Sequence, residues 1–327
     1  MTQRSKTVSG TALLAIASSL LCVSTVFAQQ ANPSSSKARE VRILVTAVDK
    51  DGKQVESLKS EDVRVVEEGV PQSITDFRRI TDRNLSLAVL IDTSMSQETT
   101  LGGQQFAARF FLTSTVKPGF DQAAVGTFTD SLAVEQNLTD DLKLLGAAID
   151  RAKIVVPPGY IGGGIVVGPL PPSPKGGVIP GATAIWDAIV TTCGQVLSQS
   201  KPDTRKAIIL LTDGEDTNSK AKMAAAIEAA VTNNVVIYSV GIGDAKRYGV
   251  NKEALRKVSE ATGGRAFFPR VVRELTPVFS QIREGLRNEY VASYQSVRSK
   301  PSRKVRIEIV NPALKDVQLS YQKTVSQ

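Results

Sequence analysis

Histidine is absent from all 327 residues. That absence excludes Ser-His-Asp and Cys-His catalysis, HExxH zinc sites and imidazole acid–base chemistry. Cysteine is almost absent, with Cys22 and Cys193 the only two. Cys22 falls in a leader-like segment, so the processed chain keeps one thiol and forms no internal disulfide. Cys193 sits in the apolar-patterned stretch 184–197 and reads as a core filler. Aromatic residues make up 5% of the chain, too few for nucleic-acid stacking platforms. Beyond the leader no apolar run is long enough to span a bilayer. Walker-type and G-x-S-x-G motifs are missing as well.

What is present begins with that leader. Arg4 and Lys6 precede a mostly apolar stretch, 11–26, which ends in Val26-Phe27-Ala28. A basic start, a short apolar core and a small-x-small end are the features of an export signal, expected over residues 1–28. Export to the periplasm or the medium follows from it. Composition is that of a globular protein, 42% hydrophobic and 22% charged. Lys and Arg number 40 against 32 Asp and Glu, a net charge of +8. Loss of Arg4 and Lys6 brings this to +6, a mild excess that favours anionic surfaces without demanding one.

Residues 29–39 are polar and read as a linker. Residues 40–82 show short β-patterned pieces, 41–48, 63–66 and 74–80, with turn signals at Asp-Lys-Asp-Gly and Gly69-Val-Pro. From 84 to 290 the pattern changes. Buried-type strands at 85–91, 123–128, 206–211 and 235–240 alternate with helical periodicity at 104–112, 141–152, 184–197, 222–231, 252–262 and 274–287. A short strand is expected at 132–134 and another at 266–268. Such alternation predicts an α/β fold, a doubly wound, mostly parallel sheet with helices on both faces. A Gly/Pro-rich insert occupies 157–181 and carries no phosphate-loop motif. Residues 291–323 turn β again. Neither flank has strands enough for a domain of its own, so the two are expected to pair into one small β-sandwich with the α/β part inserted between them.

The chemistry concentrates where buried strands end. A-V-L-I-D-T-S-M-S, residues 88–96, runs from apolar residues into three oxygen-bearing side chains at every second position. Asp213, in L-L-T-D-G-E-D-T, follows the apolar strand 206–211 in the same way. Thr183 stands in G-A-T-A just before a helix. In open α/β sheets ligands bind at the carboxyl ends of the strands. Asp92, Ser94, Ser96, Thr183 and Asp213 would then be five oxygen ligands on three loops. Hard oxygens with few formal charges suit an octahedral Mg2+ that keeps some waters, with Mn2+ or Ca2+ as alternatives. The competing reading makes the serines helix caps and T-D-G a turn.

This combination resembles the von Willebrand factor type A domain and its metal-ion-dependent adhesion site. The family signature D-x-S-x-S, a later threonine and T-D-G stand here as Asp92-Thr-Ser94-Met-Ser96, Thr183 and Thr212-Asp213-Gly214. V-V-I-Y-S-V-G-I-G-D, from 235, is similar to the family's fifth strand and the loop after it. The β-rich lead-in resembles that of a bacterial VWFA-related group, while the 157–181 insert departs from the compact family pattern. The resemblance covers about 84–290 and implies a Rossmann-like fold. It also implies an exported, non-enzymatic adhesion or scaffolding module whose bound cation accepts a partner protein's Asp or Glu carboxylate.

Two other functions compete. A basic C-terminal segment, Arg298, Lys300, Arg303, Lys304 and Arg306, could hold the protein to anionic envelope components. A metal-dependent hydrolase would use Asp92 and Asp213 with Glu215 or Asp216 as base. No nucleic-acid partner is expected, and the oligomeric state is not indicated.

Overall fold

The central strands are buried on both sides. In β5 (Leu85–Asp92) all eight residues are buried, and β11 (Val235–Gly241) is buried throughout. Only a strand covered on both faces can carry such an unbroken run. The computed structural model describes residues 39–156, 160–162, 165–167, 182–243, 249–297, 300 and 302–326. The expected signal peptide, the linker to residue 38 and most of the 157–181 insert lie outside the described residues.

The N-terminal flank holds β1 (Arg39–Val48), β2 (Val63–Glu67), β3 (Val70–Gln72) and β4 (Ile74–Ile80). After β5 come α1 (Leu101–Thr115), β6 (Gln122–Phe128), β7 (Leu132–Thr139) and α2 (Leu142–Arg151). A small hairpin, β8 (Tyr160–Gly162) and β9 (Ile165–Val166), precedes α3 (Ile185–Thr191) and β10 (Arg205–Thr212). Next are α4 (Met223–Thr232), β11, α5 (Lys252–Ala261), β12 (Ala266–Phe267) and α6 (Leu275–Arg287). The C-terminal flank holds β13 (Glu289–Ser296), β14 (Ser302–Ile309), β15 (Gln318–Tyr321) and β16 (Thr324–Ser326).

The central sheet runs β12-β11-β10-β5-β6-β7, parallel except for β7. Alternate residues of β5 face opposite helix layers, as the period of two requires. Leu85, Leu87, Val89 and Ile91 pack with Phe111 of α1, Ile149 of α2 and Phe279 of α6. Ala88 and Leu90 join Ile189 of α3, Ala226 of α4 and Leu255 of α5. Cys193 is fully buried in this second layer, where burial pushes its thiol up to about 12, so it fills space and does not react.

The flanks build two antiparallel sheets, β15-β1-β13-β4 and β16-β14-β2-β3, each mixing N- and C-terminal strands. Ile43, Val45, Val65, Tyr290, Tyr294 and Ile307 form the core between them. The expected sandwich with an inserted α/β part is therefore what the chain forms. Among the described residues no helix is long and apolar enough to cross a membrane.

Three local readings differ. The turn expected at Gly69-Val-Pro is made by Glu68 and Gly69, at φ 48° and 82°, and Val70 already belongs to β3. Positive φ at both central residues is what a two-residue hairpin needs. β7 extends well past the three residues expected, because an edge strand needs apolar side chains on one face only and Glu135, Gln136 and Asn137 hide the pattern. The helix expected over 184–197 is α-helical only to Thr191, then widens into a π turn over Thr192–Val196. The β-branched pair Thr191–Thr192 and Gly194 are poor helix formers.

α6 passes into β13 with only Asn288 between them. Arg287 fixes that junction. Its guanidinium donates to Asp121 Oδ2 (2.5 Å) and Oδ1 (3.2 Å), and to the carbonyls of Arg83 and Thr115. Asp121, fully buried, also accepts from the amides of Leu85 and Lys117. One carboxylate thus joins the ends of α1 and α6 to the start of β5. Asp121→Ala takes from buried Arg287 its close carboxylate partner and leaves only exposed Asp82 at 3.9 Å, which costs about 3–5 kcal/mol. Urea unfolding should show that loss as a lower midpoint at unchanged slope; a loss under about 1 kcal/mol would contradict the role given to this carboxylate.

Candidate functional site

Asp92 ends β5 and Asp213 follows β10, and those two strands are parallel neighbours, Ile91 level with Leu211. Both carboxylates are fully buried at the carboxyl edge of the sheet. Asp92 Oδ1 accepts the Ser94 amide (2.9 Å), and Oδ2 accepts the Thr212 hydroxyl (2.6 Å). Ser94 Oγ and Ser96 Oγ share a hydrogen bond of 3.1 Å. The amide nitrogen of Gln97 donates to Asp213 Oδ2 (2.7 Å) and to Ser96 Oγ (3.2 Å). Four of the five residues singled out in the sequence therefore belong to one hydrogen-bonded cluster. Ser96 is half-buried, so the cluster reaches solvent there.

Thr183 comes to the same edge through its backbone. Its amide donates to Thr217 Oγ1 (2.9 Å), and its carbonyl accepts from the amides of Thr217 and Asn218. Among the described residues its side-chain hydroxyl has no hydrogen-bond partner. The loop after Asp213 thus carries the loop of Thr183.

The capping alternative fails on geometry. α1 begins only at Leu101, and Thr100 is its N-cap. Ser94 stands at the N-cap position of a three-residue 3-10 turn, yet its side chain makes no capping bond. At α3 the cap position is Ala184, and the first helical amide, Ile185, is bound instead by Asp216 (2.8 Å). That contact also gives Asp216 a structural duty, since it accepts from Ser219 Oγ (2.6 Å) as well. Glu215 is exposed.

Two glycines let the loops close in. Gly214 has φ +85°, a conformation that favours glycine. At Gly243 a Cβ would lie 2.2 Å from the Gly249 carbonyl and 3.1 Å from the Asp213 Cβ. The V-G-I-G segment can approach the site only because no side chain stands at this position.

Burial raises the Asp92 carboxyl to about 7, and the Asp213 charge adds to the rise; hydrogen bonds from Ser94 and Thr212 oppose it. Among the described residues no three acidic or thiol side chains meet. A cation here would rest on two carboxylates, hydroxyls and water, a donor set for a hard ion. Gln97 and Thr212 were not identified as site residues in the sequence, and nothing in S-M-S-Q separates a buried glutamine from a surface one. The basic C-terminal segment is also not a free patch. Arg303 is buried against Glu67 (3.0 Å), Lys300 faces Glu68 (3.8 Å) and Arg306 faces Glu308 (3.0 Å). Arg298 lies outside the described residues.

Residues 177–281 match the sequence profile of the family described as von Willebrand factor type A domain. The match includes Thr183 and Asp213 and begins beyond Asp92, Ser94 and Ser96. No curated protein is similar enough to match. Among solved structures, proximal thread matrix protein 1 from the mussel byssus is similar at 17% identity over 67% of this chain and 51% of that one, TM-score 0.50. The same mussel protein with a zinc-occupied MIDAS motif aligns at 18% identity over 68% of this chain and 50% of that one, TM-score 0.49. A von Willebrand factor type A protein from Catenulispora acidiphila aligns at 13% identity over 82% and 75% of the two chains, TM-score 0.47. This chain spans about half the length of the mussel protein. At such identities the likeness concerns the fold.

A buried carboxyl titrating near neutrality has a consequence for stability. Between its ordinary 3.8 and about 7, the folded protein holds a proton that the unfolded chain has released. The metal-free protein therefore gains stability from this group at acid pH and loses it as pH rises to about 7. In Asp92→Asn the side-chain oxygen can still accept from Ser94 and the amide can donate to Thr212. In EDTA this variant should melt above wild type at pH 8 and lose the advantage at pH 5. A variant less stable than wild type at pH 8 would contradict the burial cost assigned to Asp92.

Proposed function

The chain carries a von Willebrand factor type A domain, and from that premise we propose that it is an exported, non-enzymatic protein-binding module. It captures a carboxylate of a partner protein through a divalent cation, Mg2+ first, held by Asp92, Ser94, Ser96, Thr183 and Asp213. Adhesion and scaffolding at the cell envelope are its expected uses.

One observation carries this reading. The side-chain hydroxyls of Ser94, Ser96 and Thr183 cap no helix, yet they come to the edge of the sheet where two fully buried carboxylates stand at adjacent strand ends. Two carboxylates at that depth repel each other unless one is protonated or a cation intervenes. The donors fit a hard cation: one hydroxyl, that of Thr183, has no partner among the described residues, while the Ser94 and Ser96 oxygens bond to each other, Ser94 also to Asp92 and Ser96 to a glutamine amide. A cation bound there supplies an open coordination position for an oxygen ligand from another protein. Thr212 and the Ser94 amide hold Asp92 through hydrogen bonds, so it favours contact through water. Gln97 orients Asp213 and Ser96 together and is itself held by Thr100 and Gln104. Binding of cation and of partner would then favour each other.

Thermal melts test the cation. A ligand that binds only the folded state at a hundred times its Kd adds about 2.7 kcal/mol. Mg2+ or Mn2+ should raise the melting temperature of wild type and leave Asp213→Ala and Ser96→Ala unmoved. Partner capture from an envelope extract should be lost in EDTA and persist in moderate salt. Failure of every divalent cation to shift the melt at millimolar concentration would remove the cation from the proposal, and capture that survives EDTA but fails in salt would replace it with simple charge attraction.

A further inference from the structure

At the opposite end of the central sheet, where its strands begin, the flank and the α/β part enclose a cleft of about 610 Å³. Its walls come from distant parts of the chain. Arg42 and Arg78 stand on β1 and β4, Arg83 on the approach to β5, and Lys201, Arg205 and Lys206 on the approach to β10 and its start. Asp203 is the one acid in the lining.

These cations are not equally committed. Arg42 pairs with Glu40 (2.8 Å) and Arg78 with Asp76 (2.6 Å), both at the surface. Arg205 is buried and pairs with buried Glu289 (2.8 Å). Arg83 spends only its Nε, on the Asp203 carbonyl, which leaves its terminal nitrogens without partners among the described residues. Lys201 and Lys206 have no ion pair among the described residues. Two buried polar atoms of the lining also lack a hydrogen bond there, Arg205 Nε and Ser200 Oγ. Burial lowers the pKa of Arg83; Glu289 opposes this and Arg205 adds to it. A nearby anion would offset that cost.

We propose that this cleft binds a ligand bearing two or more phosphate groups, with Arg83, Lys201 and Lys206 as its primary contacts. The guanidinium fork of Arg83 matches phosphate oxygens in pairs, while the lysines act as point charges. The cleft has the size of small-ligand sites, about 300–1,000 Å³. Phosphates on a soluble molecule and phosphates on lipid headgroups share this chemistry. The cleft is independent of the cation site, since its residues lie at the other end of β5 and β10.

Calorimetric titration of the full chain with sodium tripolyphosphate, in EDTA and physiological salt, tests the site. Saturable binding should appear and should weaken at least about tenfold in Arg83→Gln or Lys206→Gln. Lys143→Gln removes the same charge from exposed α2 and should change binding less than about twofold. Melts of each variant confirm that it remains folded, and either cleft variant that folds suffices. Cosedimentation with vesicles containing cardiolipin, whose headgroup carries two phosphates, with phosphatidylcholine as control, separates the sources. Vesicle binding displaced by tripolyphosphate supports the cleft with headgroups as its ligand. Saturable soluble binding without vesicle binding supports it with a soluble phosphate. No saturable binding of either kind, or equal weakening in Lys143→Gln, overturns the proposal.

Discussion

Two carboxylates with no access to water, at the ends of neighbouring strands, set the terms for one whole edge of this protein. Asp92 and Asp213 end up there because β5 and β10 lie side by side in parallel, β5 finishing in Asp92 and Asp213 following directly after β10. Four donors are turned toward them: the Ser94 amide, the Thr212 hydroxyl, the Gln97 amide and the Glu215 amide. Even so, burial and mutual repulsion hold one carboxyl near neutrality. The Ser94 and Ser96 hydroxyls, free of capping duty, are hydrogen-bonded into the same cluster. A cluster built this way has charge to spare for a cation, and the arrangement makes little sense as a device for folding alone.

The two ends of the central sheet have opposite electrostatic character. The carboxyl ends of the strands gather acids and hydroxyls; the amino ends gather Arg83, Lys201, Arg205 and Lys206. Between them α6 runs along one helix layer and continues into β13 of the flank. Its last residue, Arg287, is locked to Asp121 beneath the start of β5. The flank and the α/β part are joined by this continuous helix-to-strand connection and by the buried ion pair of Arg205 on β10 with Glu289 on β13. Any displacement of α6 would be felt at β13, and with it in both flank sheets.

Much of this was legible in the sequence, for physical reasons that differ by element. β5 and β10 are buried on both faces, so their apolar runs are unbroken and end abruptly where the chain turns polar; Asp92 and Asp213 could be placed from that alone. The pairing of the two flanks followed from counting strands too few to stand alone. β7 was read short because an edge strand tolerates polar residues on its open face. Thr183 was placed from G-A-T-A just before a helix, and the structure attaches it through its amide to Thr217 Oγ1 and through its carbonyl to the amides of Thr217 and Asn218, bonds that no local pattern announces. Gln97 was invisible, since a glutamine carries no mark of burial. The C-terminal cations misled for the same reason: Arg303 meets Glu67 across 236 residues of sequence, and only folding shows that its charge is already answered. The basic cleft was missed because its cations come from three separate stretches, Arg42, Arg78 with Arg83, and 201–206, that only folding brings together.

The central claim is that the oxygen cluster at the carboxyl edge holds a divalent cation. The most direct measurement is a crystal structure of the protein grown with Mn2+, with anomalous differences recorded at the manganese edge. The account predicts one strong peak within bonding distance of Ser94, Ser96 and Thr183, with Asp92 and Asp213 beside it, and no such peak in Asp213→Ala. A peak confined to exposed acids such as Glu215, or no peak at saturating Mn2+, would contradict it.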